Sequence, residues 1–529
     1  MNVPILSPAQ VTQNHTKQLL ARTALLLILI LAALLRFSNL ATNPGWYSDE
    51  GSDLDIARHL MEGHFQYFAI SGTPLVAARM PLFHLALVGG IAFWGYDVLT
   101  ARLLVAIVGF ATIVLLYFAV RQMIGEGLAL LAAFVYTIIP NVLLYGRIAF
   151  VYNVQALFLV LCWWALWEFA SAKQPHWLGI ASFASACAYM TALTGLPLVI
   201  CVGLVALWYK PRHLLWCVPL MLAPGLLYLG ILLTIAPTAF QQDLALTLGR
   251  TNDSLLLQLF NLVSNYTLWF DWTAWIVLGI AGIFLIEESR ARNITLLVFF
   301  STLFNVMRFF PGSGDSSSHR YLEVLPLIGV GAAQFILSAR HYLSKRLNED
   351  LAVLVSRIPR FKFDLCRRGI IGAMIFGALF APLLWTSAWD YYLIASPESP
   401  RPTRLDPLLV TKPGDAIKVT DFVNTHTRSG DVVLASPTIA WRIRGNVADF
   451  QQALAFEGIT TENYAEGLPR DRFVFDPSFQ NATFIIVDNL WRGWAAERMP
   501  PLKNYLRQIE SWQRVMQQGE FDVYRNPKR

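Results

Sequence analysis

Long apolar runs recur along this chain, beginning with TALLLILILAALLRF at residues 23–37. A backbone in hydrocarbon has to satisfy its own hydrogen bonds, and a helix of roughly 17–25 apolar residues does so while crossing a bilayer. Candidate spans lie near 19–38, 101–121, 127–146, 154–172, 177–193, 195–209, 214–236, 271–287, 293–310, 321–339 and 370–393. Composition agrees, because 14% of the residues are charged against about 25% in a soluble chain. The expected fold is an α-helical polytopic membrane protein of eleven transmembrane helices.

Segment 81–95, PLFHLALVGGIAFWG, is apolar but short, and reads as an interfacial or re-entrant helix. Charge tests that choice. With the N-terminus in the cytoplasm and 81–95 not crossing, the cytoplasmic side receives Lys17 with Arg22, Arg121, Lys173, Lys210 with Arg212, and Arg290 with Arg292. It also receives the basic loop 340–369. Basic loops stay in the cytoplasm, so the expected topology is N-in and C-out. The outer face then holds a first loop at 39–100, a turn near 146–153, and loops at 237–270 and 310–320. The membrane domain is expected over 1–394, followed by a small extracytoplasmic α/β domain at 395–529. In that tail DVVLASP, ATFIIVDN and EFDVYRNP read as strands, and DAIKVTDFVNTHT and LKNYLRQIESWQRVMQQ as helices.

A net charge of +6 could indicate nucleic-acid binding, but the basic residues cluster between apolar segments, as a topology signal does. No nucleic-acid partner is expected; the basic loop is expected to touch anionic membrane lipid. Five cysteines show no metal-ligand spacing and imply neither a disulfide framework nor a zinc site. The first apolar run lacks a small-residue cleavage site and reads as a retained span. No convincing internal repeat divides the apolar segments into two matching halves, which counts against an inverted-repeat transporter.

Charged groups at the membrane edge mark function by default, because burying them in hydrocarbon is costly. On this topology one face carries Arg36, Asp49, Glu50, Asp53, Arg58, Arg79, Arg102, Arg147, Arg308, His319 and Arg320. Carboxylates facing scattered arginines suit a reaction that deprotonates a neutral group and expels an anion. Asp49 and Glu50, in WYSDEG, point about 100° apart on a helix. One can therefore face a reaction while the other binds loop backbone, a cation or water. Plainer readings stand beside these. Ser48 can cap a short helix with acids in its first turn, Arg147 can snorkel at a helix end, His319–Arg320 can mark an interface, and His84 can be a packed core histidine.

The order of elements resembles a known family: a span ending in Arg36, then WYSDEG, RMPLFH, LTARLLVAIVGFATIVLLYFAVRQMIGEGLALLAAFVYTIIPNVLLYGRIAF and SHRYLEVLPLIGV. It looks like the GT-C-fold membrane glycosyltransferases of the protein O-mannosyltransferase and lipid A aminoarabinose transferase (ArnT-like) superfamily. The match is best over residues 25–170 and weaker around 305–335. The resemblance implies transfer of a sugar from an undecaprenyl- or dolichyl-phosphate carrier to a glycan, lipid or protein acceptor on the extracytoplasmic side, usually with inversion. It implies Asp49 as general base with Glu50 its acidic partner, and Arg79, Arg147, His319 and Arg320 at the donor phosphate. Arg36, Asp53, Arg58, His84 and Asn153 are expected as acceptor-side or supporting residues. No cofactor is required by this chemistry; a divalent metal occurs in some relatives, with Glu50 the candidate ligand. One departure stands out. Many relatives carry an acid shortly after the arginine of the second outer loop, where RIAFVYN offers Tyr152 and Asn153 instead.

The plasma membrane of a bacterium is the expected location. Two other readings compete: a transporter or flippase of a lipid-linked sugar, and a non-catalytic scaffold whose outer domain binds a partner. Spans nearly free of charge except at their ends favour a surface active site over transport.

Overall fold

A computed structural model describes residues 8–72, 79–249, 274–308, 315–355 and 410–529, with three single positions, 381, 385 and 388. The expected last span at 370–393 apart from those three positions, residues 356–369 of the basic loop, 250–270 of the loop at 237–270 and 310–314 of the loop at 310–320 lie outside the described residues. Helices follow the apolar runs: α1 (Pro8–Phe37), α2 (Ser48–Met61), α3 (Pro81–Trp94), α4 (Val98–Met123), α5 (Glu126–Ile138), α6 (Pro140–Tyr145) and α7 (Val151–Ala172). They continue with α8 (Pro175–Thr191), α9 (Leu196–Tyr209), α10 (Leu214–Ile235), α11 (Pro237–Gly249), α12 (Ala274–Phe284), α13 (Ser289–Arg308) and α14 (Leu325–Val355). Among the described residues four helical stretches are long and apolar enough to cross a membrane: His15–Phe37, Val98–Met123, Val151–Ala172 and Pro211–Ile235.

The expected span at 127–146 is broken into α5 and α6. Proline has no N–H to donate and displaces its predecessor from the helical region; Ile139, before Pro140, has φ −56° and ψ 126°. Proline acts differently inside α10. There the Tyr189 hydroxyl donates to Met221 O at 2.6 Å and accepts from Gly225 N–H at 3.0 Å, entering the ladder beside Pro224. Small residues set the closest approach in the bundle. A Cβ on Gly282 of α12 would collide with the Gly331 carbonyl of α14, so these helices meet backbone to backbone, the contact that drives association in lipid.

Segment 410–529 builds a five-stranded mixed sheet in the order β6-β5-β7-β9-β8. Its strands are β5 (Val432–Leu434), β6 (Asn446–Ala448), β7 (Phe484–Val487), β8 (Gln513–Gln518) and β9 (Phe521–Arg525). The expected strands correspond to β5, β7 and β9, and DAIKVTDFVNTHT forms most of α15 (Pro413–His426). LKNYLRQIESWQRVMQQ is only half helical. Its helix stops at Ile509 and residues 513–518 form β8, antiparallel to β9. Gly519, at φ +58°, permits the tight turn between them.

This segment is knitted to the first loop rather than tethered beside the bundle. β1 (Trp46–Tyr47) pairs antiparallel with β4 (Val410–Thr411). The hairpin of β2 (Gln66–Tyr67) and β3 (Ile70–Ser71) is held from the same side. Gln452 donates to Tyr67 O at 2.8 Å and accepts from Ala69 N–H at 3.2 Å, while Arg472 donates to Ser71 O and Gly72 O at 2.9 and 2.7 Å. Gly51 of α2 lies so close to the Pro437 carbonyl that a Cβ would not fit.

Asp449 sits in this seam. It caps the helix Phe450–Phe456 by accepting from Gln452 N–H at 2.8 Å, and accepts from the Tyr67 hydroxyl at 3.3 Å. Burial pushes its carboxyl up to about 6, and burial likewise raises Asp488 to about 6 and Glu520 to about 7. A carboxyl raised on folding makes the folded state bind more protons, so its contribution to stability is full below its unfolded value and is lost as pH rises through the folded one. Asn caps helices as well as Asp. Asp449→Asn is therefore expected to keep the fold and to lessen the fall in unfolding temperature between pH about 4 and about 6, measured by thermal denaturation in detergent.

Candidate active site

The two acids of WYSDEG have opposite environments. Helix α2 begins at Ser48 with Tyr47 at the capping position, one residue earlier than a Ser48 cap would place it. Glu50, in the first turn, reaches back to accept from Tyr47 N–H at 3.0 Å and also accepts from Ala149 N–H at 3.0 Å. Arg102 of α4 grips the same carboxylate with Nε and Nη2 at 2.7 and 2.6 Å, and both side chains are fully buried. Arg102 spends its other hydrogens on the carbonyls of Leu40, Pro44 and Gly45 at 2.7–3.0 Å. All five guanidinium donors are thus used. Glu50, expected as a catalytic acid and candidate metal ligand, is instead saturated by protein donors and positions the loop.

Asp49 is left accessible, with 39% of its side chain exposed. Its Oδ1 accepts from Arg79 Nη2 at 3.1 Å, and the other arm of Arg79 donates to buried Asp53. His84 of α3 lies 2.9 Å from the same Asp53 oxygen through Nε2, and its Nδ1 lies 3.3 Å from Met80 O. Burial by itself would raise the Asp53 carboxyl, but Arg79 and His84 hold it below its ordinary value. The same two acids raise Arg79, so the arginine expected at the donor phosphate is instead held by Asp49 and Asp53. A chain Asp49–Arg79–Asp53–His84 results, with only its first member substantially open to solvent.

Other expected site residues fall elsewhere. Arg147 was expected at the donor phosphate, yet its guanidinium is buried and donates to the carbonyls of Leu35, Ser38 and Asn43, the first and last at 2.5 and 3.0 Å. Three carbonyls left by the end of α1 outcompete a ligand there, because buried acceptors need donors. Arg36 is buried against Gly109 and Gly146. Arg58 pairs with Asp55 at 2.6 Å and lies over the Tyr96 ring, while Asp55 also accepts from Phe68 N–H. Asn153, expected as an acceptor-side or supporting residue, donates through Nδ2 to the carbonyls of Tyr145, Ile148 and Phe150 at 3.2–3.3 Å and so braces the 146–150 turn. His319 stacks on Phe150 with centroids 4.3 Å apart, and the rings of Tyr47, Tyr145 and Tyr152 surround it. Tyr152 lies within electrostatic reach of Arg320, Glu323, Asp49 and Arg79, which makes it the link between the first loop and the 315–323 turn. Among the described residues no group of three or more His, Cys, Asp or Glu is placed to hold a metal ion.

Sequence reasoning missed Arg102 as the partner of Glu50, because no spacing rule connects residues 52 positions apart. It also missed Glu323, for which a lone acid opening an apolar run was the available signal.

A family model described as dolichyl-phosphate-mannose-protein mannosyltransferase matches residues 78–240. No match is found among curated proteins. ArnT from Cupriavidus metallidurans, solved bound to undecaprenyl phosphate, is similar over 95% of this chain and 98% of that one, with a TM-score of 0.63 and 16% identity. The archaeal oligosaccharyltransferase AglB from Archaeoglobus fulgidus, in complex with an inhibitory peptide and a dolichol-phosphate, is similar over 92% of this chain and 72% of that one, at TM-score 0.53 and 13% identity. The arabinofuranosyltransferase AftD from Mycobacteria is similar over 96% of this chain and 40% of that one, at TM-score 0.50 and 16% identity. At such identities the likeness is one of fold. The chain has the GT-C fold of membrane glycosyltransferases, as the order of its elements led us to expect.

The two acids differ in what their loss should do to stability. Removing one partner of a fully buried pair costs about 3–5 kcal/mol, whereas a half-exposed pair contributes about 0–1 kcal/mol. Glu50→Gln should lower the unfolding temperature by many degrees in detergent, and Asp49→Asn should leave it within about 2 °C of wild type.

Proposed function

We propose that this protein transfers a sugar from a polyprenyl-phosphate carrier, undecaprenyl- or dolichyl-phosphate, to a hydroxyl or amine of an acceptor on the extracytoplasmic side of a bacterial plasma membrane. The single observation behind this reading is the contrast between Asp49 and Glu50: one accessible carboxylate held in place by Arg79, beside a second that is locked into the scaffold. The fold shared with ArnT, which was solved with undecaprenyl phosphate bound, supports the donor class. The reading includes eleven spans with the N-terminus inside, a membrane domain at 1–394 and an outer α/β domain at 395–529.

In this reaction Asp49 accepts the proton of the acceptor O–H as its oxygen attacks the anomeric carbon. The bond from that carbon to the phosphate oxygen breaks, its electron pair stays on the phosphate, and the lipid phosphate leaves with inversion at the sugar. Arg79 orients the base, and Asp53 with His84 orients Arg79. Arg320, within electrostatic reach of Tyr152, is the basic group for the leaving phosphate, next to His319 in the chain. Lipid phosphate leaves readily once its charge is compensated, so the catalyst supplies a base, placement and cationic stabilisation. No step needs a cofactor, and none is routed through a metal.

Purified protein incubated with labelled polyprenyl-phosphate sugars and a panel of acceptors tests the reading. Wild type should transfer at least one sugar, and Asp49→Asn should lower the rate by about 10²–10⁴-fold while still binding undecaprenyl phosphate. Unchanged transfer by Asp49→Asn would overturn the base assignment. Movement of the lipid-linked sugar across a vesicle membrane, with no transfer from any donor, would make the protein a transporter instead.

A further inference from the structure

Glu323 is an acid that the surrounding packing does not explain. It ends the 3-10 turn Asp315–Glu323 and is 1% exposed. Its Oε2 accepts from the Thr194 hydroxyl at 3.2 Å, whereas Oε1 has no hydrogen-bond partner among the described residues. No cation among them offsets its burial. Leaving a buried acceptor unmade costs about 1–3 kcal/mol, and more for a charged group. A leucine at this position would be cheaper for a membrane bundle, so a purely structural role accounts poorly for the acid.

The groups around it are polar, neutral and already oriented. Thr194 sits in the turn between α8 and α9, where its hydroxyl lies 2.9 Å from Gln155 Nε2 and 3.1 Å from Gln155 Oε1. Gln155 is anchored by Ala192 O at 3.0 Å, and Asn305 of α13 donates to Thr194 O at 3.0 Å. Four separate parts of the chain therefore converge on one small polar cluster. Gln155 follows Tyr152 by three residues on α7, and Tyr152 is in electrostatic reach of both Glu323 and Asp49. The cluster and the proposed base thus both lie within reach of Tyr152.

We propose that Glu323, presented by Thr194 and Gln155, is a specificity-determining subsite that accepts a hydrogen bond from a hydroxyl of the donor's sugar. The proposal rests on the glycosyl-transfer reading above and adds the part of the donor that is recognised. An acceptor oxygen next to a hydroxyl and an amide matches the hydroxyls of a sugar. An acyl chain would leave it unsatisfied. Sites that hydrogen-bond a substrate hydroxyl reject analogues lacking it far more strongly than apolar pockets reject a missing methylene.

Binding separates this proposal from the reaction. Undecaprenyl phosphate and its mannose, glucose, galactose and arabinose conjugates are titrated into full-length protein in nanodiscs. At least one conjugate should bind wild type roughly 10-fold or more tightly than the bare lipid phosphate, and one of its monodeoxy forms should lose that advantage. Glu323→Leu should abolish the preference and leave affinity for bare undecaprenyl phosphate unchanged, while Glu323→Gln, which keeps a carbonyl acceptor, should retain most of it. The subsite is overturned if Glu323→Leu keeps the wild-type preference, if no conjugate outbinds the bare lipid, or if no monodeoxy form is weakened. The last two arms use wild type, so a variant that does not fold leaves the test intact. Selective binding by Glu323 without transfer from any conjugate would sustain the subsite and overturn glycosyl transfer.

Discussion

Everything at the candidate site hangs on the Glu50–Arg102 pair. Two unit charges removed from water are expensive, and their attraction offsets that cost only when every remaining donor and acceptor is satisfied. Here that condition is met: Arg102 uses all five hydrogens and Glu50 adds two backbone N–H groups. The carbonyls of Leu40, Pro44 and Gly45 are drawn into the same knot, so the chain between α1 and α2 is fixed in space. Arg147 performs the same service for Leu35, Ser38 and Asn43. Two buried arginines thus turn an extramembrane loop into a rigid platform.

Rigidity there gives Asp49 its character. It is adjacent in sequence to an anchored residue and follows a strand paired to the C-terminal segment, so its backbone cannot wander. The side chain nevertheless stays open, and among the described residues it is tied to Arg79. Arg79 is in turn shared with Asp53, whose second partner is His84. A base needs one accessible oxygen in a fixed place, and preorganisation of that kind is where catalytic power comes from. The C-terminal segment contributes to the platform as well, since Gln452, Asp449 and Arg472 hold the hairpin that leads toward Arg79.

Much of the fold was legible because periodicity and length are local properties. Apolar runs predicted helices near 101–121 and 154–172, which the structure extends to 98–123 and 151–172, and a short helix at 81–95, which it ends at Trp94. The split at Pro140 was readable in principle from proline's missing N–H. Misread segments were those where a distant partner decides: residues 513–518 have helix-compatible composition but become a strand because β9 offers an edge. The same holds for the site. Arg79 and Arg147 were both expected at the donor phosphate, but carboxylates hold the first and backbone carbonyls the second.

What the sequence by itself determined is the class of molecule, because hydrocarbon tolerates only self-satisfied helices. It also offered two neighbouring carboxylates without ranking them, since a position in a helix says nothing of what lies opposite. Only the tertiary structure decided between Asp49 and Glu50, by bringing Arg102 from another helix to one and leaving solvent beside the other. Burial and pairing are relations between remote parts of the chain, and that is why they had to be seen in three dimensions.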